Sequence, residues 1–309
     1  FYLITISSIL SAFFINDTLV LMMTPIVLDV AFAAGLNPIP FLIGLAVSAN
    51  IGSMATIIGN PQNILVGTAS GMGFGQFSAA LAPPAMILLA VAFILIVLLF
   101  PKDFRARRLP PPAEARVFVY KPLLVKCGVS FVAMAVGIAL GLQVSLAGLA
   151  GAALLLVTRR IRPERVFEDV DWSLLVLFPS LFVITRAASH SWLFGSLYAA
   201  IEEPMRNSPA LLGAFAAGLS QLISNVPTVM LLKPLVPLMP NADAAWLVLA
   251  GATTLAGNFT LLGSVANLIV AELARKRGVR LGFFAYLKVG LPLTVTGITL
   301  TLLWLLALH

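Results

Sequence analysis

Long apolar runs alternate along this chain with apolar segments that carry polar residues in their middles. The plain runs are 83–100, 123–142 and 289–308, with shorter ones at 146–157 and 174–184. The longer ones approach the roughly 20 residues with which a helix crosses a hydrocarbon layer about 30 Å thick. The interrupted segments are 11–27, 42–66, 220–236 and 246–274. In 42–66 the polar stretch runs Asn50-Ile-Gly52-Ser53-Met-Ala-Thr56-Ile-Ile-Gly59-Asn60-Pro61-Gln62-Asn63. Glycine permits the backbone to leave the helix, Asn60 suits the position that starts the next one, and Pro61 suits its first turn. The pattern therefore predicts helix, break, helix, and Ser264 is the equivalent start within 246–274. Segments 11–27 and 220–236 are predicted to be re-entrant hairpins, with Asn16 and Asn225 capping their returning arms.

The interrupted segments resemble one another in pairs. Ser11, Asn16, Val20, Pro25 and Val27 recur as Ser220, Asn225, Val229, Pro234 and Val236, at a fixed spacing of 209. Gly73, Phe74 and Pro83 recur at the same spacing as Gly282, Phe283 and Pro292. At a spacing of 204, Thr56, Gly59 and Asn63 recur as Thr260, Gly263 and Asn267, giving a shared pattern Thr-aliphatic-aliphatic-Gly-x-x-x-Asn.

Composition agrees with a multi-spanning membrane protein: 60% hydrophobic, 10% charged, mean hydropathy +1.05. Soluble domains carry about 25% charged residues. The net charge of +7 comes from clusters flanking the apolar runs, so it sets membrane orientation and implies no nucleic-acid partner. The clusters are Lys102, Arg105, Arg107, Arg108, Arg116 and Lys121; Arg159, Arg160, Arg162 and Arg165; and Arg275, Lys276, Arg277, Arg280 and Lys288. With all three on the cytoplasmic side, 83–100 runs inward and 289–308 outward. The loop holding Glu202 and Glu203 then falls outside. One sequence pattern used in two orientations is an inverted-topology repeat, a construction common in secondary transporters. The expected layout is a first repeat over 1–100, a cytoplasmic linker over 101–121 that includes the prolines 110–112, and a second repeat over 122–309. Residues 120–209 find no partner at the 209 spacing, so the first repeat is expected to be truncated at its N-terminus. The one cysteine, Cys127, supports neither an intrachain disulfide nor a thiolate cage.

Four half-helix N-termini, each bearing about half a positive charge and free N–H groups, suit an anion near the midplane. The expected lining residues are Asn16, Asp17, Thr18, Thr56, Gly59, Asn60, Asn63, Ser224, Asn225, Thr228, Asn258, Thr260, Gly263, Ser264 and Asn267. Asp17 is the acidic residue placed deep in the membrane, where a carboxylate is costly and marks function by default. It is a candidate proton carrier, and with Asn16 and Asn225 a candidate sodium site. His190 and His309 have no acidic or cysteine neighbours and suggest no metal centre.

The stretches Ile15-Asn-Asp-Thr-Leu-Val20, Ala49-Asn-Ile-Gly52 with Gly59-Asn-Pro-Gln-Asn63, Ser224-Asn-Val-Pro227, and Gly257-Asn-Phe-Thr-Leu-Leu-Gly263 through Asn267 resemble the ion transporter superfamily. The branch resembled is the citrate-transporter-like one, which includes arsenite permeases, sodium/proton antiporters and divalent-anion symporters. Asn16, Thr18, Ser224 and Asn225 match the paired Ser-Asn-Thr tips of dicarboxylate symporters, whereas Asp17, Val226 and Pro227 depart from them. The resemblance implies an elevator-type transporter fold, all-α and polytopic, often working as a homodimer.

The expected function is secondary transport of a small anion or oxyanion, arsenite and citrate-like species included, coupled to sodium or protons, in the plasma (inner) membrane. No cofactor is expected beyond the coupling ion. The partners expected are the lipid bilayer, the small anion and a second copy, with room for an ATPase subunit in trans. A sodium/proton antiporter using Asp17 is the transport alternative, and a channel is a further one. An intramembrane hydrolase, the alternative of another class, lacks a second carboxylate or a Ser/His pair near Asp17.

Overall fold

The computed structural model describes residues 1–104, 120–156 and 172–308. The expected arginines from Arg105 to Arg116, the prolines 110–112 and the cluster Arg159 to Arg165 lie outside the described residues. Among the described residues the secondary structure is fourteen α-helices, one short 3-10 turn and no strand. Helix α1 (Tyr2–Phe13) and α2 (Asn16–Ala33) form the first helix pair, followed by α3 (Ile39–Met54), α4 (Pro61–Ser70) and the long α5 (Phe74–Leu99). Helices α6 (Lys121–Ala139), α7 (Val144–Leu156), α8 (Trp172–Ser189) and α9 (Trp192–Arg206) come next. Then the opening order returns. It consists of α10 (Pro209–Ile223) with α11 (Asn225–Leu232), α12 (Ala242–Ala256), α13 (Val265–Lys276) and the long α14 (Phe283–Leu308).

Burial separates the helices into two kinds. Nearly every residue of α3 and of α12 is buried, all round each helix, which marks them as the centre of the bundle. By contrast, α5 and α14 bury one stripe and expose the rest, as helices facing lipid do. Among the described residues four helices are long and apolar enough to cross a membrane: α2, α5, α6 and α14. Each carries a proline, Pro25 in α2, Pro83 and Pro84 in α5, Pro122 in the first turn of α6 and Pro292 in α14. An internal proline is tolerated at membrane depth where neighbouring groups satisfy the freed backbone. The protein is a multi-pass membrane protein.

Packing follows the same order twice. Helix α1 lies on α3, which lies on α5, as α10 lies on α12 and α12 on α14; α5 also packs on α14. Small residues allow these approaches. A Cβ at Gly52 of α3 would lie 2.5 Å from the Ser8 Cα of α1, so only glycine fits there. Helix α2 packs along α13, and at their far ends Asp29 pairs with Arg277 at 2.9 Å. Both side chains are at least half exposed, so this pair contributes at most about 1 kcal/mol, and the packing of the two helices holds them together.

Two expectations need correction. Residues around Glu202 and Glu203 form helix α9 rather than a loop, because Met205 is buried and Tyr198 and Ile201 are partly buried on one side. Asn16 and Asn225 do not cap the returning arms. They are the first residues of α2 and α11, with Ile15 and Ser224 at the capping positions, and neither cap makes a side-chain hydrogen bond.

Candidate functional site

The two broken helices, α3–α4 and α12–α13, are built alike, and an asparagine holds each break together. Asn63 Nδ2 donates to the carbonyls of Ser53 at 3.0 Å and Thr56 at 2.9 Å. Asn267 Nδ2 donates to those of Gly257 at 2.7 Å and Thr260 at 3.1 Å. These partners are displaced by the same 204 residues as the asparagine itself, and Asn63 has one longer contact besides, to the Met54 carbonyl at 3.4 Å. The Ser53 and Gly257 carbonyls at the helix ends gain a donor in this way, while those of Thr56 and Thr260 also accept from the N–H groups of Gly59 at 3.4 Å and Gly263 at 3.0 Å, so asparagine and glycine together satisfy what the break leaves open. Gly59 and Gly263 turn the chain over the same carbonyl row. A Cβ at Gly59 would lie 2.6 Å from Ser53 Cα, and one at Gly263 would lie 3.1 Å from the Gly257 carbonyl oxygen. Asn60 caps α4 by accepting from the Asn63 N–H at 2.8 Å. Ser264 occupies the equivalent position before α13, but its hydroxyl donates to Asn50 Oδ1 at 3.2 Å and makes no cap bond.

The breaks also reach across to each other. Asn50 of α3 donates to Asn267 Oδ1 at 3.1 Å, and Thr254 of α12 donates to Asn63 Oδ1 at 3.3 Å. Since 254 is 50 displaced by 204, each unit's asparagine accepts from the other unit's matching position. A similar pairing ties the helix pairs to the breaks. Thr56 Oγ1 donates to the Ala12 carbonyl, and Thr260 Oγ1 donates to Gln221 Oε1 at 3.2 Å, a side-chain oxygen standing in for the backbone one.

Four helix N-termini surround one cavity of about 70 Å³. Asn16 and Asp17 open α2, Pro61 and Gln62 open α4, Ser224, Asn225 and Val226 open α11, and Ser264 and Val265 lie at the start of α13. Leu181 of α8 completes the lining. The Asp17 carboxyl sits in the first turn of its own helix and lies against the Ala266 backbone N–H at the start of α13. It is thus held by two helix N-termini, and among the described residues its lining neighbours include no lysine or arginine. Asn16 Oδ1 and Asn225 Oδ1 are buried and accept no hydrogen bond. The site therefore combines a carboxylate, two free amide oxygens, two serines and the backbone N–H groups of helix starts. Such a set can accept from hydroxyls, donate to oxygens and ligate a hard cation through oxygen.

The remaining expected residues divide by place. Asn60, Asn63, Asn258 and Asn267 are buried directly behind the cavity in the network of the breaks, and Thr56, Gly59, Thr260 and Gly263 shape those breaks. Thr228 is buried in α11 and donates to the Ser224 carbonyl at 2.8 Å. Thr18 is exposed on α2, away from the cavity. Asn50, Ser53, Gln62, Gln221 and Thr254 take part in the polar cluster without having been singled out by the repeat pattern. Asn50 and Thr254 stand at the same 204 spacing but differ in type, so residue identity could not pair them. Ser224 is the described non-glycine residue with a positive φ, 76°, with ψ 163°. That region is close to glycine-only and costs about 1–3 kcal/mol, a strain located at the cavity wall.

The family model described as citrate transporter, CitMHS, matches residues 1–256. The chain belongs to the citrate transporter family. Its relatives include an uncharacterized transporter of Mycobacterium tuberculosis, 28% identical over 98% of this chain and 75% of that protein. The silicon efflux transporter LSI3 of Oryza sativa is 29% identical over 96% of this chain and 77% of its own length. The inner membrane protein YbiR of Escherichia coli is 31% identical over 92% and 72%. This member of the citrate transporter family, within the ion transporter superfamily, is a membrane transporter and not an enzyme.

Proposed function

We propose that this family member is a cation-coupled secondary transporter of a small oxyacid or oxyanion, arsenite and silicic acid being the leading candidates, bound where the four helix N-termini meet. The observation that carries the reading is the cavity of about 70 Å³ walled by the starts of α2, α4, α11 and α13. Four helix starts favour oxygen-rich or anionic cargo. Size argues for a small one. An apolar cavity of about 150 Å³ takes benzene, with its six heavy atoms, so about half that volume favours a cargo far smaller than the roughly thirteen heavy atoms of citrate. The absence of lysine and arginine from the lining argues in the same direction, because a tricarboxylate needs more positive charge than helix starts supply. The silicon named for the rice relative fits a small hydroxylated cargo of this kind. Asp17 would handle the coupling cation, sodium or a proton, with Asn16 Oδ1 and Asn225 Oδ1 as further oxygens.

The exchanged contacts Asn50 with Asn267 and Thr254 with Asn63 support two repeats related by a pseudo-two-fold axis, because such an axis makes each contact occur in both directions. With opposite orientations in the membrane the units 1–100 and 122–309 form an inverted repeat. The family resemblance adds alternating access by an elevator-type movement in a homodimer to this proposal. The inner-membrane name of the Escherichia coli relative supports the plasma membrane as its location. The oxygen-only grouping around Asp17 also favours a second reading, sodium/proton antiport without other cargo.

Uptake into proteoliposomes distinguishes these readings. Arsenite, silicic acid, phosphate and citrate are each offered under sodium and pH gradients. Saturable, gradient-driven flux of arsenite or silicic acid is expected. Sodium/proton exchange with no cargo flux supports the antiporter, and citrate uptake alone rejects the size argument.

A further inference from the structure

Asn50 is 2% exposed at the centre of the bundle, and its amide is saturated. Its Oδ1 accepts from Asn16 Nδ2 at 3.0 Å and from Ser264 Oγ at 3.2 Å. Its Nδ2 donates to Asn258 Oδ1 at 2.9 Å and Asn267 Oδ1 at 3.1 Å. An asparagine side chain offers two donor hydrogens and two acceptor lone pairs, so nothing remains to rotate for. Two of these partners, Asn16 and Ser264, line the cavity; the other two belong to the break between α12 and α13.

This has a consequence for Asn16. With its Nδ2 committed to Asn50, its Oδ1 is left buried and unpartnered, in a residue that lines the cavity. Nothing else among the described side chains fixes that choice, since the other hydrogen bond of Asn16 is from its backbone N–H to the Gly59 carbonyl. Asn267 cannot turn over to relax the arrangement, because its own Nδ2 is held by the Gly257 and Thr260 carbonyls. The orientation therefore propagates in one direction: the α12–α13 break fixes Asn267, Asn267 fixes Asn50, and Asn50 turns the oxygen of Asn16 toward the cargo.

We propose that Asn50 is a positioning residue of the transport site: it dictates that Asn16 presents an acceptor to the cargo, and it makes that presentation depend on the second broken helix. The inference rests on the transport reading above. It separates two things that a purely structural asparagine would lose together, the hold on Asn16 and the hold on the break.

The test uses two substitutions with opposite consequences. Asn50→Thr reproduces the residue type of its counterpart Thr254, whose hydroxyl makes the cross-unit bond to Asn63 Oδ1. The threonine keeps a donor for Asn267 but is too short to hold Asn16. Asn50→Asp keeps the oxygen that holds Asn16 but turns an acceptor toward Asn258 and Asn267. KM and kcat for arsenite, which is uncharged at neutral pH, are measured with full-length protein in proteoliposomes, together with thermal stability in detergent. Expected for Asn50→Thr is a KM raised about tenfold, the loss of one well-placed buried hydrogen bond to Asn16, with stability lowered no further than in Asn50→Asp. Expected for Asn50→Asp is lower stability and kcat with KM within about twofold of the wild type, since the hydrogen bond to Asn16 is kept. The Asn50→Thr effect should also disappear in an Asn16→Ala background, because the two residues act through one bond. KM that simply follows stability in both variants, or effects that add in the double mutant, overturns the inference. Should Asn50→Thr fail to fold, Asn50→Asp decides alone: a tenfold rise in its KM overturns the proposal. Absence of saturable uptake of both arsenite and silicic acid by the wild type refutes the transport reading and this inference with it, whereas wild-type uptake with KM unchanged in Asn50→Thr refutes the inference alone.

Discussion

Truncating Asn63 and truncating Asn267 should injure the protein equally, although 204 residues separate them. Each side chain donates to two carbonyls of its own helix break and accepts one hydrogen bond from the other unit, Asn63 from Thr254 and Asn267 from Asn50. A net hydrogen bond contributes about 1 kcal/mol, and a buried group left unpaired costs about 1–3 kcal/mol. Alanine at either site removes these three bonds, and at Asn63 a fourth, long one to the Met54 carbonyl, and strands at least one break carbonyl, so a loss of about 3–5 kcal/mol is expected for each, with the two values within about 1 kcal/mol of each other. The cross-unit bonds add a finer expectation. Asn63→Ala should couple to Thr254→Val, and Asn267→Ala to Asn50→Ala, while the crossed combinations add independently. Equilibrium unfolding by detergent titration in mixed micelles reads these differences. A near-neutral Asn63→Ala beside a severe Asn267→Ala would refute the argument that both breaks are held by one design.

Ser224→Gly should stabilise the fold by up to about 1–3 kcal/mol by removing the strain at φ 76°, read as a raised unfolding midpoint, while slowing transport through loss of a cavity hydroxyl. Leu181→Trp should block flux with little loss of stability, because Leu181 enters the cavity from α8 and is only partly buried there; undiminished uptake would place the cargo elsewhere. Arg277→Ala should change stability by less than about 1 kcal/mol, with a larger loss pointing to a role beyond its exposed pair with Asp29.

Much of this arrangement is legible in the chain because breaking a helix at membrane depth demands particular residues. Glycine at 59 and 263, the asparagines four positions later, and Asn60 before Pro61 each answer a local need of the backbone, so they stand out from an apolar background. The convergence of the helix starts was implied by the repetition of those breaks. What local pattern could not supply is the wiring between distant segments. Asn50 and Thr254 are equivalent in position but differ in chemistry, and Gln221 replaces with its side chain an oxygen that Ala12 offers from its backbone. The tips misled for a related reason: the asparagine amides at 16 and 225 suit helix caps by type, yet Asn16 is bound to Asn50, a partner 34 residues away. Thr18 follows its neighbours in the chain but not around the helix, where successive residues turn away from each other. Helix α9 was hidden by its charged residues, Glu202 half-buried and Glu203 exposed, within a segment that buries little beyond Met205.

The most direct measurement labels a cysteine inside the cavity. With Cys127 replaced by alanine, Val226→Cys puts the one thiol of the chain among the four helix starts. Arsenite binds thiols, so silicic acid serves as the protecting cargo against a small methanethiosulfonate reagent. The account predicts that silicic acid slows labelling saturably, with a half-point matching its KM for uptake. Uptake that saturates while the labelling rate stays constant would contradict a cargo site at the meeting of the helix starts.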